Sequence, residues 1–125
     1  MRLVEIDFAA EMAEGEARTL AVGEGDNNKV LIAKYQDKLY ATGNKCSHVG
    51  FSLGDGMVFD DKIVCPAHTA AFSIISGQPE AAPGLDGIPT YPVINKDGKW
   101  FVEVPEGELQ QKVTMPMTKR DPENP

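Results

Sequence analysis

Every cysteine and histidine in this chain belongs to one of two short groups, Cys46-Ser47-His48 and, after 16 intervening residues (49–64), Cys65-Pro66-Ala67-His68. No other feature limits the fold so tightly. Each group places a soft thiolate and a borderline imidazole on one short loop, and two such loops at the ends of neighbouring hairpins can bring four ligands to one site.

The surrounding sequence reads as an all-β domain, with short strand-like segments separated by turn chemistry at close intervals. Lys29–Tyr35 and Lys38–Thr42 meet at Gln36-Asp37, and Met57–Phe59 and Lys62–Val64 flank Asp60-Asp61. Tyr91–Asn95 meets Lys99–Val104 across Lys96-Asp97-Gly98, where Asp-Gly supplies residues that tolerate positive φ. In that last segment Trp100, Val102 and Val104 alternate with Phe101 and Glu103, which turns one face inward. Leu3–Ile6 and Glu16–Val22 are expected as edge strands, with about one helical turn over Ala9–Ala13. Two glycine-punctuated loops, 43–56 and 65–77, carry the cysteines and histidines, and a proline-rich loop spans 79–92. Past Val104 the composition turns to Pro105-Glu106-Gly107-Glu108 and an aperiodic end, Asp121-Pro122-Glu123-Asn124-Pro125. Residues 1–105 are therefore expected to form the domain and 106–125 a tail or interdomain linker. The alternative is that Leu109, Val113, Met115 and Met117 dock onto the domain.

A chain of 125 residues, 42% hydrophobic, has one domain's length and the material for a core, which excludes a two-domain enzyme. Twelve Lys and Arg against 19 Asp and Glu give a net charge of −7, the reverse of the balance that grips nucleic-acid phosphates, so no nucleic-acid partner is expected. The longest dense apolar runs are Val30–Ala33 and Thr69–Phe72, far short of the roughly 20 residues a spanning helix needs, and no membrane association is expected. The start, Met1-Arg2-Leu3-Val4-Glu5-Ile6-Asp7, turns acidic at once, without the apolar core of a secretory signal. The expectation is an intracellular chain, cytoplasmic by default, or mitochondrial if a targeting segment has been removed.

Thiolates favour zinc, copper(I) and iron–sulfur clusters, and imidazole suits zinc and iron. The mixed set Cys46, His48, Cys65 and His68 leaves two options: a mononuclear structural zinc in a metal-stapled binding module, or a [2Fe–2S] cluster with both cysteines on one iron and both histidines on the other. Cys₂His₂ zinc fingers pair like ligands in each half, whereas each half here pairs Cys with His.

The residues around the ligands resemble the Rieske iron–sulfur proteins, whose pattern is C-x-H-x-G-x-x-L followed by C-P-x-H-x-x-x-F-x-x-x-[ST]-G. This chain has Cys46-Ser47-His48-Val49-Gly50-Phe51-Ser52-Leu53, then Cys65-Pro66-Ala67-His68, Phe72 and Ser76-Gly77. The resemblance covers roughly residues 1–104. It implies a fold of small antiparallel sheets with a cluster-binding subdomain, a [2Fe–2S] cofactor held by Cys46, His48, Cys65 and His68, and one-electron transfer. The proline-rich stretch Pro79–Asp86 stands where relatives carry a third loop that shields the cluster. Thr69 and Ala67 depart from the Gly and the bulky aromatic common at those positions.

With both histidines committed, none remains for the mononuclear iron of a Rieske oxygenase. Phe51 and Ala67 stand where cytochrome bc relatives carry a disulfide. High-potential relatives have Ser and Tyr where this chain has Ala70 and Phe72, and neither of these can donate a hydrogen bond, so a low potential is expected. The run Cys65–Gly77, the sequence Pro83-Gly84-Leu85-Asp86 and the polar tail are most similar to the N-terminal Rieske domain of apoptosis-inducing-factor-like flavoproteins. That similarity implies a carrier domain, not catalytic alone, whose partner is the flavoprotein reductase domain of an NAD(P)H/FAD oxidoreductase in the same full-length chain. A free Rieske ferredoxin of an oxygenase or nitrite reductase system is the alternative. Asp55, Asp60, Asp61, Glu80 and Asp86, all near the loops in sequence, are candidates for steering a basic partner.

Overall fold

The computed structural model describes residues 2–24, 28–45, 53–55, 57–64, 71–80, 87–106 and 109. Its strands are β1 (Arg2–Glu5), β2 (Ala17–Ala21), β3 (Lys29–Tyr35), β4 (Lys38–Gly43), β5 (Met57–Phe59), β6 (Lys62–Val64), β7 (Ala71–Ser73), β8 (Pro79–Glu80), β9 (Thr90–Tyr91), β10 (Val93–Lys96) and β11 (Lys99–Val104). They pair antiparallel in three sheets, ordered β1-β11-β10, β2-β3-β4-β9 and β5-β6-β7-β8. Helical structure among the described residues is limited to single 3-10 turns at Ala9–Glu11 and Leu53–Asp55.

Strand β3 explains why the sheets stack as they do. Val30, Leu31, Ile32 and Ala33 are all fully buried, so both faces of this strand must be covered. Side chains alternate across a strand. Val30 and Ile32 pack with Ile6, Met12, Val102 and Val104 in one core, and Leu31 and Ala33 pack with Leu53, Ile63, Phe72, Ile74 and Ile88 in a second. The middle sheet is thus a partition between a base, closed by β1-β11-β10, and a smaller lobe built on β5-β6-β7-β8.

All three expected hairpins form, with two-residue turns at Gln36-Asp37, Asp60-Asp61 and Asp97-Gly98. Gln36 and Asp37 both take positive φ, 52° and 67°, which matches the right-handed twist of the flanking strands but costs a non-glycine residue about 1–2 kcal/mol. Glu14 offsets that cost. Its carboxylate accepts the Gln36 amide and the Asp37 amide (3.0 Å for the latter), tying the turn to the segment before β2. The expected strand Tyr91–Asn95 is instead split at Pro92. Thr90-Tyr91 pairs with β4 and Val93–Lys96 with β11, so the chain changes sheets at a residue with no N–H to place in either ladder. The compact unit also extends past residue 105. Leu109 is buried in the base core, and its amide donates to Asn28 Oδ1 (3.0 Å). Val113, Met115 and Met117 lie outside the described residues. Among the described residues no helix is long and apolar enough to cross a membrane.

The two turn amides, Asp37 first and Gln36 second, hold the Glu14 carboxyl below its ordinary pKa. A carboxyl depressed by folding contributes stability that is present above its unfolded value and lost as pH falls through its folded value. Glu14→Gln is therefore expected to have a lower urea midpoint than the parent at neutral pH. The gap should close on the acid side of the usual carboxylate range, and parallel urea titrations down to about pH 3 measure it.

Candidate metal centre

The register of the small sheet sets out the site. Met57 stands opposite Val64, Val64 opposite Ala71, and Ala71 opposite Glu80, so four residues form one row across all four strands. Chain from the Cys46-His48 group arrives at Met57. Residues 65–70, with Cys65 and His68, join Val64 to Ala71, and the proline-rich segment leaves from Glu80. Neighbouring strands lie about 4.8 Å apart, so this row ties all three segments to one end of one sheet. Cys46, His48, Cys65 and His68 themselves lie outside the described residues, as do Val49, Gly50, Phe51, Ala67, Thr69, Ala70 and Pro83–Asp86. Among the described residues no group of three or more His, Cys, Asp or Glu could hold a metal ion.

Each segment is closed at its base by hydrogen bonds. For the first, the Leu53 amide donates to the Asn44 carbonyl (2.7 Å), and Asn44 Oδ1 accepts both the Gly54 amide (3.0 Å) and the Thr19 hydroxyl (3.1 Å). Leu53, the last residue of the first motif half, is fully buried against the Leu31 face of β3, which explains why the pattern requires an apolar residue there. For the second, the Val64–Ala71 pair is the closure. For the third, the Ile88 amide donates to the Gly77 carbonyl (2.8 Å) and the Gly77 amide to the Ser73 carbonyl (2.9 Å). Gly77 has φ +78°, and a Cβ there would stand 2.0 Å from the Ile88 carbonyl oxygen, so the motif's closing glycine admits no side chain. Phe72 is fully buried in the lobe core, where its ring serves packing.

The acidic residues divide. Asp60 and Asp61 form the turn of the β5–β6 hairpin, at the end opposite the Met57–Val64 row and about 10 Å from it at the usual rise per residue. That turn lies at the other end of the hairpin from Val64, where residues 65–70 leave the sheet. Asp61 is engaged by Lys62 Nζ (2.9 Å), which lowers its pKa. No motif in the sequence marks Asn44, Thr19 or Ile88. Gly54-Asp55-Gly56 carries a glycine signal for the tight approach to Thr19, but nothing local marks a threonine 25 residues from Asn44 as its partner.

Three segments that carry the cysteines, the histidines and a run of prolines in the sequence are thus rooted at one end of a small sheet on a β base. The Rieske [2Fe-2S] domain profile matches residues 2–92, and the chain belongs to that family. Its cofactor is a [2Fe–2S] cluster and its function one-electron transfer. It is 32% identical over 97 residues to the 3-phenylpropionate/cinnamic acid dioxygenase ferredoxin subunit of Photorhabdus laumondii, covering 77% of this chain and 89% of that one. It is 34% identical over 110 residues to human apoptosis-inducing factor 3, covering 87% of this chain but 18% of the relative. The Sphingomonas yanoikuyae B1 ferredoxin superposes with a TM-score of 0.66 at 30% identity, covering 84% of this chain and 98% of that one.

Gly77→Ala and Gly98→Ala separate strain from collision. Both residues have positive φ, but nothing lies within 4 Å of a Cβ at Gly98. Gly98→Ala is expected to cost about 1 kcal/mol and Gly77→Ala clearly more, about 2–4 kcal/mol, in urea unfolding.

Proposed function

We propose that Cys46, His48, Cys65 and His68 hold the cluster, the two thiolates on one iron and the two imidazoles on the other. The observation that carries the assignment is the Met57–Val64–Ala71–Glu80 row, which anchors both ligand segments at one end of one sheet. The donor set fits the group, being soft sulfur and imidazole in equal number. When bound, the cluster accepts and releases one electron on the imidazole-ligated iron, because thiolates donate charge and resist reduction of theirs. His48 and His68 then mark the side where electrons are exchanged. The partner docks over them, bordered by Val49, Gly50, Phe51, Ala67 and Pro83, through a small contact of the kind redox encounters use.

The partner we favour is the flavoprotein reductase domain of an NAD(P)H/FAD oxidoreductase in the same full-length chain. The 34% identity to human apoptosis-inducing factor 3, of which this chain matches 18%, supports that reading. The match to 89% of a dioxygenase ferredoxin subunit favours the second reading, a free ferredoxin serving an oxygenase. The remainder of the open reading frame distinguishes them: a G-x-G-x-x-G dinucleotide motif downstream of Pro125 marks the fused form.

The potential is expected toward the low end of the roughly −150 to +300 mV Rieske span, because the protein carries a net charge of −7 and Phe72 offers no hydroxyl. A clearly positive value at neutral pH in protein-film voltammetry overturns this. Iron and acid-labile sulfide should be present in equal amounts, and a colourless protein with one zinc overturns the electron-transfer reading. Cys65→Ser is expected to reduce cluster assembly, and a His48 variant that keeps the Rieske paramagnetic signature contradicts the assignment of that residue.

A further inference from the structure

We infer that Asn44 is a positioning residue for the cluster, acting through its side-chain oxygen as the clasp of the segment that carries Cys46 and His48. The inference rests on the ligand assignment proposed above and concerns how that segment is held. Asn44 is only 5% exposed, and a buried amide oxygen must be paired. It is paired twice, to the Gly54 amide (3.0 Å) and the Thr19 hydroxyl (3.1 Å), while its own main-chain carbonyl accepts the Leu53 amide (2.7 Å). One residue thereby joins the chain entering the ligand segment, the chain leaving it and strand β2 of the middle sheet.

Two further observations show that the clasp is built to a tight tolerance. A Cβ on Gly54 would lie 1.9 Å from Thr19 Oγ1 and 3.2 Å from Asn44 Oδ1, so only glycine lets this backbone come close enough to donate. Leu53, adjacent to it, is fully buried in the lobe core, which fixes the leaving chain against β3. The span between Asn44 and Leu53 is closed by a main-chain bond and braced by a side chain. The segment carrying Cys46 and His48 therefore starts and ends at points set by Thr19, far away in sequence. Ligands on a segment with loosened ends sample more geometries, and both retention of the metal and the reduction potential respond to such loss of support.

The test compares the holoprotein with Asn44→Ala, Thr19→Val, Gly54→Ala and the Gly54→Ala/Thr19→Ala pair. Cluster loss is followed by bleaching under a chelator, together with the midpoint potential and the paramagnetic g values. Asn44→Ala is expected to lose its cluster roughly two- to tenfold faster, the range set by one or two buried hydrogen bonds, and to shift the potential. Thr19→Val removes one donor while keeping the β-branched shape and should give a smaller change of the same kind. Gly54→Ala should load poorly, and removing Oγ1 in the pair should restore part of that loading. An Asn44→Ala holoprotein with the parent's potential, g values and bleaching rate overturns the inference, even if it melts lower, since that pattern is the signature of packing alone. If Asn44→Ala cannot be purified, parental values in Thr19→Val overturn it. A parent chain without iron and sulfide fails the ligand assignment instead, a result distinguishable from either.

Discussion

Burial of β3 on both faces is the constraint from which the rest follows. Val30, Leu31, Ile32 and Ala33 are all removed from water, and the three larger side chains are each worth about 1.5–3 kcal/mol when buried. A strand that is apolar on both sides cannot sit at a surface. One face calls for β1, β10 and β11, and the other for the small sheet with Leu53, Phe72 and Ile88. The smaller lobe is therefore not an appendage to an otherwise finished fold. It supplies half of the cover that the central sheet needs.

Within the lobe, backbone register does what a larger protein would do with helices and a deep core. Strands of two or three residues carry little stability individually, so position comes from alignment across the row and from staples at the segment bases. The staples at Asn44 and Gly77 share a logic. Each sets a main-chain bond, Leu53 to Asn44 or Ile88 to Gly77, at a glycine too close to a neighbouring atom to carry a Cβ, Gly54 or Gly77. Such closures fix where a segment begins and ends without specifying its interior, which leaves that interior free to be chosen for cofactor chemistry.

Local chemistry predicted the hairpins well, because a two-residue turn announces itself in the residues that tolerate positive φ. Asp97-Gly98 is the clearest instance, and even Gln36-Asp37, less favourable in isolation, is flanked by unmistakable strands. The motif likewise marks Leu53, Phe72 and Gly77, each of which the structure places at a packed or closely approached position. What local reading missed depends on distance along the chain. The split at Pro92 required knowing that two sheets compete for the same residues, the clasp on Asn44 required Thr19, and the burial of Leu109 required Asn28. Each is a polar or topological contact between segments far apart in sequence, and no periodicity encodes such a partner.

The seat of Leu109 beside Asn28 bears on how a second module would meet this one. Asn28 immediately precedes β3, at the end of the middle sheet where Gly43 and Asn44 lead toward Cys46 and His48 in the sequence. A module joined beyond residue 125 would be separated from that end by residues 110–125, a length of chain that spans at most about 55 Å. Within such a radius a partner is present at millimolar effective concentration whatever its intrinsic affinity. Encounter is then limited by orientation rather than search, and a contact too weak to survive between separate proteins suffices for turnover.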